Sequence, residues 1–289
     1  MSSVITSHES QVMLNRPTTG SRFTDWYYTL AGKLLVPEWQ RWYGSLDWDE
    51  AAARHTDPTV MYPDYYTCDR HGVKGGYLNG WQAIGWSFAA NLFGMQAHYD
   101  HVARYLAARY RSHPPQRLLD IGSGTGDWAV QIAQQLPDAH LTALELSPYM
   151  LAAAERRWQL AELPEDHVSW VHGNGEAMPF ADATFDVVTC FLLFHELTPA
   201  ATTRLLRDAR RVLAPQGRLI IFDAVQRPIP IKPVNDIGVV AVATLLREQD
   251  FATYAHVDIP KLAESVGFAG SSTTYLGRLP WQFHMTEIW

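Results

Sequence analysis

Only two cysteines, Cys68 and Cys190, occur in 289 residues. They are too few and too unpatterned for a disulfide framework or a zinc site. No apolar run approaches the ~20 residues that span a bilayer, so membrane insertion is not expected. The opening MSSVITSHES lacks the basic start and apolar core of a secretory signal, and a cytoplasmic location is the expectation. Clustered positive charge is lacking as well. The formal net charge is −7, with 23 Lys and Arg against 30 Asp and Glu. A protein that grips nucleic acid must neutralise phosphates with grouped cations, and this scatter of basic residues excludes nucleic acid as a substrate. The densest group, Arg204, Arg207, Arg210 and Arg211, falls on a helical pattern and reads as its solvated face. His71, His98 and His101 have no companion acid or cysteine at ligand spacing, so no metal is expected.

What is present is a globular composition, 47% hydrophobic and 18% charged, long enough for one large domain or two modest ones. Residues 1–110 are crowded with aromatics, among them Trp26, Trp39, Trp48, Tyr62, Tyr77, Trp81 and Trp86. Helical spacing over residues 25–35 and 81–111, punctuated by Pro58, Pro63 and the glycines of 72–80, predicts a helical cap. From Arg117 onward, short apolar runs at 117–121, 141–146, 168–172, 185–191 and 218–223 alternate with amphipathic stretches at 128–136, 149–160 and 200–213. Such alternation implies right-handed crossovers and a largely parallel α/β sheet with helices on both faces. A turn at 214–217 ends the last of those helices, and residues 271–277 and 281–289 read as a closing pair of strands. Residues 111–289 therefore form the second expected domain.

The most informative segment is Leu118-Leu119-Asp120-Ile121-Gly122-Ser123-Gly124-Thr125-Gly126. A strand feeds a loop with alternating glycines, which let a ligand approach the main chain, and the first crossover loop of an open α/β sheet is where ligands bind. A dinucleotide fingerprint needs its third glycine three residues after the second; that position is Asp127, and the glycine falls one earlier. An acid there also opposes a pyrophosphate at a helix amino terminus. No P-loop lysine follows, which excludes a nucleotide triphosphate.

The D-x-G-x-G-x-G pattern after a strand resembles the first motif of class I S-adenosylmethionine-dependent methyltransferases. Glu145, Gly173 to Phe180, Phe185 to Val188 and Arg211 to Gly217 follow in that superfamily's order, over about 170 residues. The resemblance implies S-adenosylmethionine as cofactor, S-adenosylhomocysteine as product, and a small-molecule acceptor. It implies a Rossmann-like sheet of seven mostly parallel strands in the order 3-2-1-4-5-7-6, the last antiparallel. It also implies cofactor contacts from Asp120, Gly122, Ser123, Gly124, Gly126, Glu145, Leu146, Asn174, Gly175, Glu176 and Phe191. Glu145, as a carboxylate, can accept both ribose hydroxyls. Asn174 stands where the superfamily has an acid for the adenine amino group, and Gly175 where it has alanine.

Methyl transfer requires the acceptor lone pair to be held in line with the methyl carbon and any acceptor proton to be removed. In the superfamily the residues just past the fourth strand lie beside the methyl. Here they include His195, whose ordinary pKa suits a general base or which holds the loop, and Glu196, which either orients His195 or acts on the substrate. Tyr65 and Tyr66 resemble cap tyrosines that close over cofactor or substrate, and an aromatic cap suits an apolar or aromatic acceptor. Asp223, ending the fifth strand, is a further candidate with loop capping as its other role. Residues 227–260, after an exit marked by Pro228, Pro230 and Pro233, are expected to add to the substrate wall. The same fold serves a non-methylating reaction such as cyclisation, or persists as a non-catalytic scaffold. Product mass and cofactor binding separate the three. The acceptor and the oligomeric state stay open.

Overall fold

The computed structural model describes residues 46–68, 75–92, 94–224, 251–276 and 283–289. The expected helix at 25–35, the aromatics before residue 46, His71 and the segment 227–250 lie outside them. Among the described residues three helices precede the sheet: α1 (Trp48–His55), α2 (Gly80–Leu92) and α3 (Met95–Arg109). The helical stretch read at 81–111 is thus two helices. They part at Gly94, whose φ of 68° is a conformation that glycine adopts without steric cost.

The sheet follows as β1 (Arg117–Ile121), α4 (Asp127–Gln135), β2 (His140–Glu145), α5 (Pro148–Leu160), β3 (Val168–His172), β4 (Phe185–Phe191), α6 (Pro199–Val212) and β5 (Leu213–Ala224). After the short helices α7 (Phe251–Tyr254) and α8 (Ile259–Ser265) it closes with β6 (Ser271–Leu276) and β7 (Phe283–Ile288). Strand order is β3-β2-β1-β4-β5-β7-β6. All pairings are parallel except those of β7, which runs against both β5 and β6. The order and the single antiparallel strand are those expected. The turn at 214–217 is absorbed into the opening of β5, where Gln216 takes φ 70° and the register against β4 slips between Phe185 and Val187.

Local chemistry sets the element starts. Ser147 and Thr198 cap α5 and α6 by accepting the amides of Met150 and Ala201, each followed by a proline in the first turn, where a missing N–H costs nothing. Apolar strands buried on both faces separate two core layers. One packs α3 and α4 against β1, β5 and β7 through Tyr99, Leu106, Trp128, Leu118, Phe222 and Met285. The other packs α6 and α8 through Leu205, Leu206, Ala209 and Ile259. No described helix is long and apolar enough to cross a membrane. Burying both faces leaves the carboxyl ends of β1, β2 and β4 as the place where loops and cap converge.

Candidate cofactor and acceptor site

One cavity opens at those strand ends, with about 1110 Å³ of free space including its mouth. Of the candidate site residues singled out above, all line it except Gly126 and Asp223. The loop after β1 turns under it with φ of 71° at Gly122, 53° at Gly124 and 74° at Gly126. A Cβ on Gly124 would meet only the Gly122 carbonyl oxygen at 4.0 Å, so its backbone is bare toward a ligand. Gly126 answers a different need: a Cβ there would lie 2.9 Å from the Ala154 Cβ, so it lets α4 pack against α5 behind the cavity.

Glu145 is buried at the end of β2. Its Oε2 accepts the Gly124 amide at 3.0 Å and its Oε1 the Ser147 amide at 2.8 Å. Burial pushes its carboxyl above the usual range, against the pull of those amides. The carboxylate is thereby held rigidly between the glycine loop and the start of α5. Asn174 uses its amide oxygen to accept the Glu176 amide at 2.9 Å, so the group expected to receive the adenine amine also closes its own turn. Gly175 is required: a Cβ would fall 2.8 Å from the Ile121 Cγ2.

The turn after β4, Phe194–Glu196, carries the two expected reactive groups. His195 Nδ1 lies 2.7 Å from Asp223 Oδ1, whereas its Nε2 is 3.5 Å from Glu196 Oε1. The orienting acid is therefore Asp223, with Glu196 on the cavity side. Asp223 also caps the loop by accepting the Phe194 amide at 2.8 Å, the loop-capping role read from its position.

The cap closes the cavity through three tyrosines, each on a different acid. Tyr65 donates to Glu176 at 2.5 Å, Tyr66 to Glu145 at 3.5 Å and Tyr77 to Glu196 at 2.9 Å. Burial pushes the Tyr66 phenol well above its ordinary pKa. His172, at the end of β3, pins the same cap by accepting the Asp57 amide at 3.0 Å and meeting the Tyr62 hydroxyl at 3.1 Å. Tyr77 and His172 had no assigned role in the sequence, and nothing in local spacing marks them. The aromatic walls come from Trp86, Tyr99, Trp128 and Phe191, with Trp128 stacked on Phe191 at 3.9 Å.

The arginines of α6 are more than a solvated face. Arg204 reaches Glu176 at 2.6 Å through Nε. Arg211 binds Asp208 at 2.6 Å, Asp182 at 2.9 Å and the carbonyls of Met178 and Phe180. Together they staple the 174–182 loop to the helix.

The cradle fits S-adenosylmethionine by its donor set. Glu145 offers a fixed carboxylate for a diol, Gly124 offers open backbone, and Asp120 carries a buried Oδ2 with no hydrogen-bond partner among the described residues.

Comparison with known proteins agrees. The family described as "Methyltransferase domain" matches residues 118–217. A ubiquinone/menaquinone biosynthesis C-methyltransferase, UbiE of Dinoroseobacter shibae, is 38% identical over 115 residues, which is 40% of this chain and 45% of the relative. The chain thus spans about half the length of the curated relatives it matches. An O-methyltransferase family protein from Burkholderia thailandensis superposes with a TM-score of 0.56 at 14% identity, over 72% of this chain and 60% of that one. A candidate O-methyltransferase of Nostoc punctiforme does so with 0.55 at 18%, over 89% and 71%. At such identities the superpositions establish the fold. Residues 118–217 thus match a methyltransferase domain, and the sheet order, glycine loop and β2 acid are those that the resemblance to the class I S-adenosylmethionine-dependent superfamily implies.

Proposed function

We propose that this chain transfers a methyl group from S-adenosylmethionine to a small, apolar or aromatic acceptor. The observation that carries the reading is the shared cavity: a rigid acid, open glycine backbone and His195, whose ring is bonded to Asp223, all line it. When bound, the cofactor supplies an electrophilic methyl group. The protein's part is to bind, orient and exclude water. Glu145 and the loop from Gly122 to Gly124 would hold the ribose, while Leu146 and the 174–176 turn would flank the adenine. Asp223 opposite Nδ1 keeps the imidazole proton on that nitrogen, leaving Nε2 toward the cavity to receive an acceptor proton. Tyr65, Tyr66 and Tyr77 close the mouth against water.

Residues 1–110 serve as the cap and 111–289 as the cofactor domain in this reading, supported by the bonds from residues 57–77 to β2, β3 and the loop after β4. The relatives' names refer to C-methylation in ubiquinone and menaquinone biosynthesis, and a wall of Trp86, Tyr99, Trp128 and Phe191 suits a planar ring of that kind. Oxygen, nitrogen and carbon remain the candidate accepting atoms.

Calorimetric titration with S-adenosylmethionine and S-adenosylhomocysteine tests the reading, with an Asp120→Ala, Glu145→Ala double variant as control. Micromolar binding lost in the control supports it. Phenols, quinols and amines are then screened with methyl-labelled cofactor for a product heavier by one CH2 unit. No binding to either ligand sinks the proposal.

A further inference from the structure

The carboxyl group of Asp120 is 1% exposed and lies on the wall of the cavity. Its Oδ1 accepts the Thr189 hydroxyl at 2.8 Å, and Thr189 in turn accepts the Trp128 indole N–H at 3.1 Å. Its Oδ2 is buried and meets no donor among the described residues. No Lys or Arg among those residues lines the cavity. Arg157, which reaches the loop from α5, is held by Asp127 at 3.1 Å and by the Thr125 carbonyl at 3.0 Å. The ionisable groups facing Asp120 are Glu145 from β2, Cys190 from β4 and Tyr99 from α3. None of the three can supply a positive charge.

A buried carboxylate with one neutral hydrogen bond and no cation is costly, and such a group takes up a proton instead. Burial, reinforced by the nearby Glu145 and opposed by the Thr189 bond, pushes the Asp120 carboxyl up to about 8. The vacant acceptor and the missing cation are one requirement, because both are met by a positively charged N–H donor entering the cavity. Within S-adenosylmethionine the ammonium is the group with that character: the sulfonium has no proton to donate, and the carboxylate would be repelled.

We infer that Asp120 is the neutral acid in the free protein and loses its proton when the cofactor's ammonium settles against Oδ2, so that cofactor capture is coupled to proton release. The Asp120 O–H bond breaks, the proton passes to solvent, and the resulting carboxylate accepts an ammonium N–H; no other bond changes. This rests on the cofactor reading above, and it sets a pH window for capture that methyl-transfer chemistry does not require.

The test is titration calorimetry of the full chain at one pH in buffers of different ionisation enthalpy, which counts protons exchanged. S-adenosylhomocysteine is the first probe, and 5′-methylthioadenosine, which keeps the adenosine but lacks the ammonium and carboxylate, is the second. At pH 7 the first should release close to one proton per molecule bound and the second none. Release should fall away as the pH rises past about 8, with affinity for S-adenosylhomocysteine climbing by up to ~tenfold per pH unit below that point. Asp120→Asn should bind S-adenosylhomocysteine without proton release. Binding with no proton exchange in the unaltered protein, or equal release with both probes, overturns the inference. If the Asn variant does not fold, the comparison of the two probes on the unaltered protein decides. Failure of S-adenosylhomocysteine to bind overturns the cofactor reading itself and this inference with it.

Discussion

Asp223 holds His195 by backbone and ring at once: Oδ2 accepts the His195 amide at 3.4 Å while Oδ1 lies 2.7 Å from Nδ1. The same carboxylate accepts the amides of Phe194 at 2.8 Å and Ala224 at 2.7 Å, and it is fully buried. It therefore links the turn after β4 to the end of β5, and two substitutions should separate its duties. Asp223→Ala strands several buried donors and should cost about 2–4 kcal/mol of stability, since each unsatisfied buried group costs roughly 1–3. His195→Ala leaves those amides paired and should cost less, yet methyl transfer should fall by about 10²–10⁴, the usual yield of a positioned base. S-adenosylhomocysteine affinity should move less than about threefold for His195→Ala on the same reasoning. Urea unfolding and ligand titration of both variants check this, and full activity in His195→Ala would end the base assignment.

The two loop glycines should respond differently to a methyl group. Gly126→Ala places a Cβ 2.9 Å from the Ala154 Cβ and 3.0 Å from its Cα, a backbone collision that neither helix can relieve by turning a side chain. Overpacking of that kind costs typically 1–3 kcal/mol, with a further ~1–2 for the left-handed backbone. Gly124→Ala has only the second cost, because its Cβ points into open space, but under the proposed function that space receives the cofactor. The first variant should lose thermal stability, whereas the second should stay folded and bind S-adenosylhomocysteine at least ~10-fold more weakly. Equal melting temperatures for the two would contradict the assignment.

That contrast shows where sequence reading stops. All three glycines belong to one motif, and the motif marks the strand and the turn because those constraints act within nine residues, whereas the ligand class is read only from the motif together with the four segments that follow it. Which glycine faces the ligand and which faces α5 depends on Ala154, 28 residues away, and no local pattern records it. His195 and Glu196 are neighbours in sequence, yet the ring's short bond goes to Asp223, because the parallel register of β4 and β5 brings Phe191 beside Phe222. The three cap tyrosines were visible as aromatics, but their acids lie 111, 79 and 119 residues away. The α6 arginines do lie on the outer face that periodicity gives them, but the bonds of Arg204 and Arg211 to the 174–182 loop reach 28 to 33 residues back and leave no local pattern.

The Tyr65–Glu176 bond ties the cap segment to the sheet domain at 2.5 Å, and Arg204 shares the carboxylate at 2.6 Å. Tyr65→Phe keeps the ring and leaves Glu176 paired with Arg204, so global stability should barely move. The cap segment should instead open more often. A hydrogen bond to a charged acceptor contributes roughly 1.5–3 kcal/mol when buried, and partial exposure here reduces that to about 1, equivalent to a ~fivefold rise in opening. Hydrogen exchange over residues 61–67, compared with the amides of β1, measures it. Unchanged protection in the cap would mean that Tyr65 packs there without latching.

His172 gives the cap a pH limit. Nδ1 accepts the Asp57 amide at 3.0 Å, so the ring proton sits on Nε2, which lies 3.1 Å from both the Leu146 carbonyl and the Tyr62 hydroxyl. A second proton would face the Asp57 N–H directly. Burial is the largest cause of a pKa held below the usual imidazole value, opposed by the bond to the Leu146 carbonyl and by the Asp57 charge. The native ring therefore binds fewer protons than the same ring in the unfolded or undocked chain, and stability rises with pH through this window. The contribution is complete above the ordinary value of about 6.5 and is lost as the pH falls below it and through the lowered one. Exchange of the amides in residues 57–66 should accordingly quicken between pH 7.5 and pH 5, after correction for intrinsic rates, while that of β1 and β4 holds. His172→Gln, which cannot titrate, should abolish the difference between the two pH values. A cap equally protected at both values in the unaltered protein would show that Asp57 and Tyr62 dock without the imidazole.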